Sequence, residues 1–233
     1  MEQTLKVTSV LSDPTRYYIY QYITNRHQDV TVQEIADQFE IHPNVARLHL
    51  TKLEDVNMLI SETKKTGKGG RPSRLYRLSD DVIQLNFPYR DYELLSKITF
   101  STLTQLGEPG KKALNEVGRQ FGKEMIEKEK VRYAQTLEEL PFYHRLSIFK
   151  AAATSGGLHP EIEVDENQSK IFIEFFNCPF KEVAINHKDD ACNMHFEYLK
   201  GMIDSLFDGV ELIEKDNMLN GCHSCTYQAL VAK

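Results

Sequence analysis

The residues of this sequence best suited to chemistry are four cysteines, all of which lie in its last quarter. Thirteen residues separate Cys178 from Cys192, twenty-nine separate Cys192 from Cys222, and two separate Cys222 from Cys225. Thiolates bind soft metal ions, and metal sites draw their ligands from several elements, so this clustering predicts a metal or redox site. Four thiolates suit either tetrahedral zinc or an iron–sulfur cluster, and ligand count does not separate the two.

A histidine is an alternative fourth ligand of this site. Helical spacing places His195 one turn beyond Cys192, on the same face. Other histidines near the cysteines are His187 and His223. A single buried cysteine is more often a small hydrophobic core residue than a ligand, but here all four lie together. Both a four-cysteine site and a site of three cysteines with one histidine therefore fit the sequence.

Composition and apolar patterning describe a globular chain. The sequence has 233 residues, of which 41% are hydrophobic, enough for a packed core. No run approaches the roughly 18 apolar residues of a membrane span, and the first residues lack the pattern of a signal peptide. We therefore expect a cytoplasmic protein with no membrane partner. Reducing conditions there favour a metal or redox role for the cysteines over structural disulfides.

The charge of the chain is unevenly distributed. The net charge is −6, but residues 42–78 contain eight Lys or Arg against three acids, a net of +5, so the remainder carries −11. A basic segment in an acidic protein is typical of a surface that binds a polyanion such as DNA.

Helix-start signals follow each other closely in the first 60 residues. Asp13 and Pro14 are an N-cap and a first-turn proline, and Thr31 with Glu34 forms a capping box before a short helix. Pro43 begins the next helix after a connection of only a few residues. Two short helices joined so tightly predict a helix-turn-helix. The polar face of the second of these helices is then free to read bases in the major groove.

A basic hairpin is predicted directly after this helix. Residues 58–65 and 74–79 alternate as strands, and a glycine-rich segment joins them. Such a hairpin is a wing, suited to phosphates or a minor groove. The predicted DNA-binding residues of the helix and the wing are Asn44, Arg47, Thr51, Lys52, Lys64, Lys65, Lys68, Arg71 and Arg74.

Two resemblances follow from these motifs. The segments LSDPTRYYIYQYI, TVQEIADQFEIHPNVARLHLTKLEDVNML and GRPSRLYRLS resemble the winged helix-turn-helix of ArsR/DeoR-type regulators. NCPFKEVAINHKDDACNMHFEYLKG followed by NGCHSCTY is similar to the sensor of the SufR-like repressors, which implies a 4Fe-4S or 2Fe-2S cluster. The pair Cys222 and Cys225 departs from the usual spacing of that family, so the resemblance does not choose between these two cysteines.

The rest of the chain completes an α+β architecture of three regions. Residues 1–80 are predicted to be the winged helix-turn-helix, 81–135 a helical dimerisation or linker region, and 136–233 a small α+β sensor domain. Apolar stripes along residues 94–106 and 114–125 favour a homodimer, as a two-fold operator requires.

The sequence therefore predicts a homodimeric transcription regulator that acts as a repressor. It is expected to bind double-stranded operator DNA and to sense iron–sulfur cluster, iron or redox status. The alternative is a winged-helix regulator with structural zinc and an organic or protein effector. A thiol oxidoreductase is a third option, but its dithiol motif needs a helix N-terminus, whereas residues 226–232 alternate as a strand. No Ser/His/Asp set, carboxylate pair or nucleotide loop indicates an enzyme.

Overall fold

The computed structural model describes residues 2–64, 73–131 and 140–231. The chain divides into two compact units, Met1–Arg90 and Asp91–Lys233. No helix among the described residues is both long and apolar enough to cross a membrane.

The described residues of the first unit form four helices and three short strands. The helices are α1 (Glu2–Leu11), α2 (Pro14–Arg26), α3 (Val32–Gln38) and α4 (Pro43–Glu54), and the strands are β1 (Val30–Thr31), β2 (Leu59–Lys64) and β3 (Ser73–Leu78). The strands form an antiparallel sheet in the order β1-β3-β2. The helix-turn-helix and both wing strands were predicted, and α1 was not.

The predicted caps of this unit are present. The Asp13 side chain accepts a hydrogen bond from the Arg16 N–H, and Thr31 and Glu34 form the reciprocal capping box. These bonds satisfy backbone donors that the first turn of each helix leaves without a helical partner. Ile19, Leu50 and Tyr76 are completely buried at the centre of the unit, so α2, α4 and β3 share one core.

In the second unit, residues 91–131 and 140–231 form five α-helices and a four-stranded antiparallel sheet. The helices are α5 (Tyr92–Gln105), α6 (Glu108–Lys130), α7 (Phe142–Ser155), α8 (Lys181–Ala184) and α9 (Lys188–Asp204). The strands are β4 (Pro160–Val164), β5 (Lys170–Phe175), β6 (Glu211–Asp216) and β7 (Cys225–Leu230), in the order β4-β5-β7-β6. Both units therefore mix helices with antiparallel sheet.

Helices α6 and α9 approach each other at glycines. A Cβ built on Gly122 would lie 2.0 Å from the Tyr198 carbonyl oxygen, and one built on Gly201 would lie 2.1 Å from the Arg119 carbonyl oxygen. The absence of side chains at these positions lets the two backbones touch. From Asp91 onward, the helices that the sequence placed in a separate 81–135 region thus share a unit with the cysteines.

The apolar stripes predicted for dimerisation are partly exposed. Leu94, Leu95 and Ile98 of α5 are each more than half exposed, and Val117 and Phe121 are at least half exposed on α6. Other members of the stripes, such as Leu114 and Met125, instead pack against the core of the unit.

Candidate functional site

Helix α4 has two chemically distinct faces. Ala46, Leu50 and Leu53 are fully buried and hold the helix in the unit core. The predicted reading residues Asn44 and Arg47 are exposed on the other side, as is Lys52, and Thr51 is half-buried. The exposed side chains begin in the first turn of the helix, which is where a recognition helix contacts base edges.

The N-terminus of α4 is fixed by its own residues. Pro43 occupies the first turn, and Nδ1 of His42 accepts a hydrogen bond of 3.2 Å from the Asn44 N–H. The positive end of a helix dipole at this point favours a nearby phosphate.

Arg74 of the wing has an intramolecular role that the sequence did not indicate. Its guanidinium donates to both carboxylate oxygens of Glu54 on α4, at 2.8 and 2.7 Å, and to Ser61 Oγ at 2.7 Å. It also lies 5.2 Å from the ring centroid of Tyr76. Both bonds to Glu54 come from Nη2 and the bond to Ser61 comes from Nε, so the guanidinium is held at two of its nitrogens. Arg74 therefore holds β3 and β2 against the end of α4.

Of the remaining predicted cations on α4 and the wing, two lie within the described residues. Lys64 is exposed at the end of β2. Lys52 lies 3.7 Å from Asp55 on the surface, a pair of small energetic value. Lys65, Lys68 and Arg71 lie outside the described residues.

His49 lies on the recognition helix α4 and interacts electrostatically with charged residues at the start of α2. It is buried, and within the described part of the chain its Nδ1 has no hydrogen-bond partner. The charged groups that act on it include Asp13 and Arg16. Burial lowers its pKa from 6.5, against the opposing effect of the Asp13 carboxylate. The unfolded chain therefore binds this proton more readily than the folded chain.

The free energy of unfolding is expected to decrease as the pH falls from 6.5 to the lower pKa that His49 has in the folded protein. His49→Gln cannot take up this proton and should show a smaller decrease. Urea unfolding at several pH values from neutral to acid measures the difference, with His144→Gln, at an exposed position, as the control. A pH dependence that is the same in wild type and His49→Gln would contradict the assignment.

Three of the four cysteines face one small cavity in the second unit. Cys178 lies in the loop between β5 and α8, Cys192 near the start of α9, and Cys225 at the first position of β7. All three line a cavity of about 10 Å³ together with His195 and Asn217. The other residues around it are Lys181, Met218, Leu219 and Tyr227.

Each of these sulfur atoms accepts a hydrogen bond. Asn217 Nδ2 donates to Cys192 Sγ at 3.5 Å, the Met218 N–H donates to Cys225 Sγ at 3.3 Å, and the Phe180 N–H donates to Cys178. Asn217 is itself oriented by Glu214, whose carboxylate lies 2.6 Å from its Nδ2. Donors of this kind tune metal-bound thiolates.

Burial shifts the ionisation of the three thiols toward the neutral form. It raises the pKa of Cys178 to about 11, and the proximity of Cys225 and Cys192 adds to this effect. Burial also raises the pKa of Cys192 and of Cys225. Three thiolates in one apolar cavity thus require a compensating positive charge, which a metal centre provides.

His195 meets the same cavity from α9. It is only 6% exposed, and its Nε2 has no hydrogen-bond partner among the residues that the structure describes. The centroids of its ring and the Phe180 ring are 5.3 Å apart. Burial lowers its pKa to about 4, so the imidazole is neutral near pH 7 and able to act as a ligand. A buried imidazole nitrogen without a partner is costly unless a ligand occupies it.

The other candidate ligands lie elsewhere. Cys222 is exposed and does not line the cavity. His187 Nε2 lies 3.1 Å from Ser101 Oγ on α5, and His223 is exposed and packs against Phe176. Over residues 2–64, 73–131 and 140–231, no group of three or more His, Cys, Asp or Glu is already arranged as around a bound metal ion.

Asn217 and the backbone of Met218 were missed by sequence reasoning. Met218 is the first residue of the short turn Met218–Asn220 that follows β6, and Asn217 directly precedes it. An asparagine between two strands ordinarily indicates a turn, so its donation to Cys192 had no distinctive signal in the sequence.

A larger groove of about 610 Å³ lies between α6 and α9 and is separate from the cysteines. Its charged side chains pair with each other, as in Lys111 with Asp190 at 3.3 Å and Arg119 with Glu197 at 3.3 Å. These pairs join the two helices.

The fold of the first unit defines a winged helix-turn-helix of the kind found in DNA-binding transcription regulators. Residues 11–62 match a family described as "Helix-turn-helix domain". The match covers α2, α3, α4 and the first part of the wing. No curated protein matches the chain.

Several solved structures resemble parts of the chain. A trafficking protein particle complex subunit 3 from Naegleria fowleri, covalently bound to palmitic acid, is 17% identical and covers 60% of this chain and 94% of its own, with a TM-score of 0.44. The phenol-responsive sensory domain of the transcription activator PoxR, with phenol, is 15% identical, with coverages of 79% and 89% and a TM-score of 0.41. Bacillus subtilis PadR in complex with operator DNA is 15% identical, with coverages of 61% and 92% and a TM-score of 0.25. At these scores the likenesses carry no argument about function.

Proposed function

We propose that this protein is a homodimeric transcriptional repressor whose binding to operator DNA depends on an iron–sulfur cluster held by its second unit. The observation that carries the proposal is the shared cavity of Cys178, Cys192 and Cys225, which come from a loop, a helix and a strand. Ligands from separate elements are typical of a site whose occupancy changes the positions of those elements.

The donor set suits a soft metal centre. Three thiols with hydrogen-bond donors to their sulfurs would hold the cluster. His195 is the favoured fourth ligand because it lines the same cavity and its buried Nε2 has no hydrogen-bond partner among the described residues. Cys222 is disfavoured as a ligand because it is exposed outside the cavity. When bound, such a cluster supplies sensitivity to iron supply and oxidants, since it is removed or altered under those conditions.

A single zinc ion is the second candidate. The cavity of about 10 Å³ has the volume of roughly one water-sized sphere, which a single ion would fill. In that case the metal is structural and the regulator responds to an organic ligand or a protein partner.

The proposed route from site to DNA runs through α9 and α6. Cys192 and His195 lie on α9, which contacts α6 at the glycines described above. Since backbones in contact cannot slide independently, a shift of α9 displaces α6. Val117 and Phe121 are exposed on α6, in the predicted dimerisation region, so the shift would alter the spacing of the two recognition helices. Regulation then requires that the two states differ in DNA affinity.

Metal analysis of protein purified without oxygen tests the proposal. We expect a brown protein with visible absorption and matched iron and acid-labile sulfide. Cys178→Ser and Cys192→Ser should lose most of both, because each removes a thiol of the cavity. Cys222→Ser is the matched control and should keep the cluster, since this thiol is exposed.

Two results would change the assignment. One zinc per chain without iron or sulfide would favour the zinc-containing regulator. Full retention of iron and sulfide in Cys178→Ser and Cys192→Ser would show that the cavity does not hold the cluster.

A further inference from the structure

The recognition helix exposes two aliphatic side chains beside its polar reading residues. Val45 is 42% exposed and Leu48 is 54% exposed. Residues three apart on a helix are neighbours on its surface, so the two form one small apolar strip. The strip lies among the exposed Asn44 and Arg47 of α4, away from the buried Leu50 and Leu53.

The position of this strip limits what it can bind. Arg47, Lys52 and Lys64 are exposed cations of the same helix and the adjoining wing. An apolar partner surface placed here would have to desolvate these charges, which is costly without anionic partners. The DNA major groove combines phosphates at its edges with apolar groups on its floor, and the latter are the 5-methyl groups of thymine.

We propose that Val45 and Leu48 bind thymine 5-methyl groups in the major groove and so specify thymine beside the bases contacted by Asn44 and Arg47. Contact between an aliphatic side chain and a thymine methyl removes apolar surface of both from water. The inference rests on the proposed function, because it takes α4 to be the helix that reads operator DNA.

Replacing thymine by deoxyuridine gives a direct test, since it deletes the 5-methyl group and leaves base pairing unchanged. The preferred site is first selected from random-sequence duplex DNA with the full-length wild-type protein. Each thymine of that site is then replaced singly by dU, and affinities are measured. Wild type should bind about fourfold more weakly for each bound methyl group that is deleted, the value expected for one buried methylene.

Two alanine variants distinguish the contribution of Leu48 to thymine preference from that of Val45. Leu48→Ala should bind the dT and dU versions equally at one position of each half-site, and Val45→Ala should do so at another. Both should melt at the wild-type temperature, because the side chains are exposed. Leu5→Ala removes an aliphatic side chain of α1 that is 67% exposed in the same unit, and should keep the wild-type preference for thymine.

The possible failures are distinguishable. A selected site without thymine in its half-sites, or one whose thymines all tolerate dU, would overturn this inference and leave DNA binding intact. Retention of the thymine preference in both Leu48→Ala and Val45→Ala would also overturn it. A pool from which no site is enriched would instead overturn the proposed function, and the inference with it.

Discussion

Gly122→Ala is expected to destabilise the second unit by about 2 kcal/mol and to lower its melting temperature by about 4–8 °C. Gly122 lies on α6 where the helix contacts α9, and an added Cβ would be 2.0 Å from the Tyr198 carbonyl oxygen. The obstacle is backbone, so no side-chain rotation relieves it, and the two helices must separate.

Two opposing effects decide the size of this change. Alanine in a helix interior is favoured over glycine by about 1 kcal/mol. Forcing an extra carbon into a packed interface costs about 3 kcal/mol when neighbouring backbone has to move. The packing cost is the larger, so the net effect is destabilising even though the substitution improves helix propensity.

Thermal unfolding followed by circular dichroism checks this expectation. Lys123→Ala is the control, because it changes the adjacent exposed residue of the same helix. The control should melt within about a degree of wild type, as surface substitutions ordinarily do. A stabilised Gly122→Ala protein would mean that α6 and α9 do not touch in this way.

Much of the first unit could be predicted because its signals are local. Asp13, Pro14 and the Thr31–Glu34 pair each act within one helical turn, and the structure contains the caps that they predict. Helix α1 lacks such a signal within its own residues, since Glu2–Leu11 contains no first-turn proline. Its two buried valines, Val7 and Val10, pack into a core whose other members come from later in the chain.

The bonds that complete the sites join residues distant in sequence. The bond from Arg74 to Glu54 joins positions 20 residues apart, and that from Asn217 to Cys192 joins positions 25 apart. Basic charge alone therefore predicted Arg74 as a DNA ligand, although much of its hydrogen-bonding capacity is used within the first unit. The convergence of three cysteines on one cavity likewise depends on strand order, which local patterns do not contain.

The glycines of α6 are a sequence signal of close helix packing, which the sequence-based predictions did not include. Gly118 and Gly122 are one turn apart on this helix, and both are buried. Glycine is unfavourable in helix interiors, and a pair at this spacing indicates a close helix approach. The predicted boundary at residue 135 lies between α6 and α9, the two helices that approach each other at these glycines.

Arg47→Ala is expected to weaken binding to the selected DNA site by about 1–3 kcal/mol and to remove the preference at one base position of each half-site. Arg47 is exposed on α4. We expect the Arg47 guanidinium to donate two bonds to guanine O6 and N7, and alanine has no group that replaces them. Affinity for the selected site and for each single-base variant, measured by fluorescence anisotropy, gives both quantities.

Lys64→Ala is the matched comparison because it removes a cation from the wing and leaves α4 unchanged. It should weaken binding to all sequences equally and reduce the slope of log K against log salt by about 0.9 for each phosphate that is no longer neutralised. Arg47→Ala should differ from it in discrimination, since a bond to a base distinguishes sequences whereas a bond to a phosphate does not. If Arg47→Ala kept the wild-type base preference while Lys64→Ala abolished it, the reading surface would lie on the wing, with α4 supporting it.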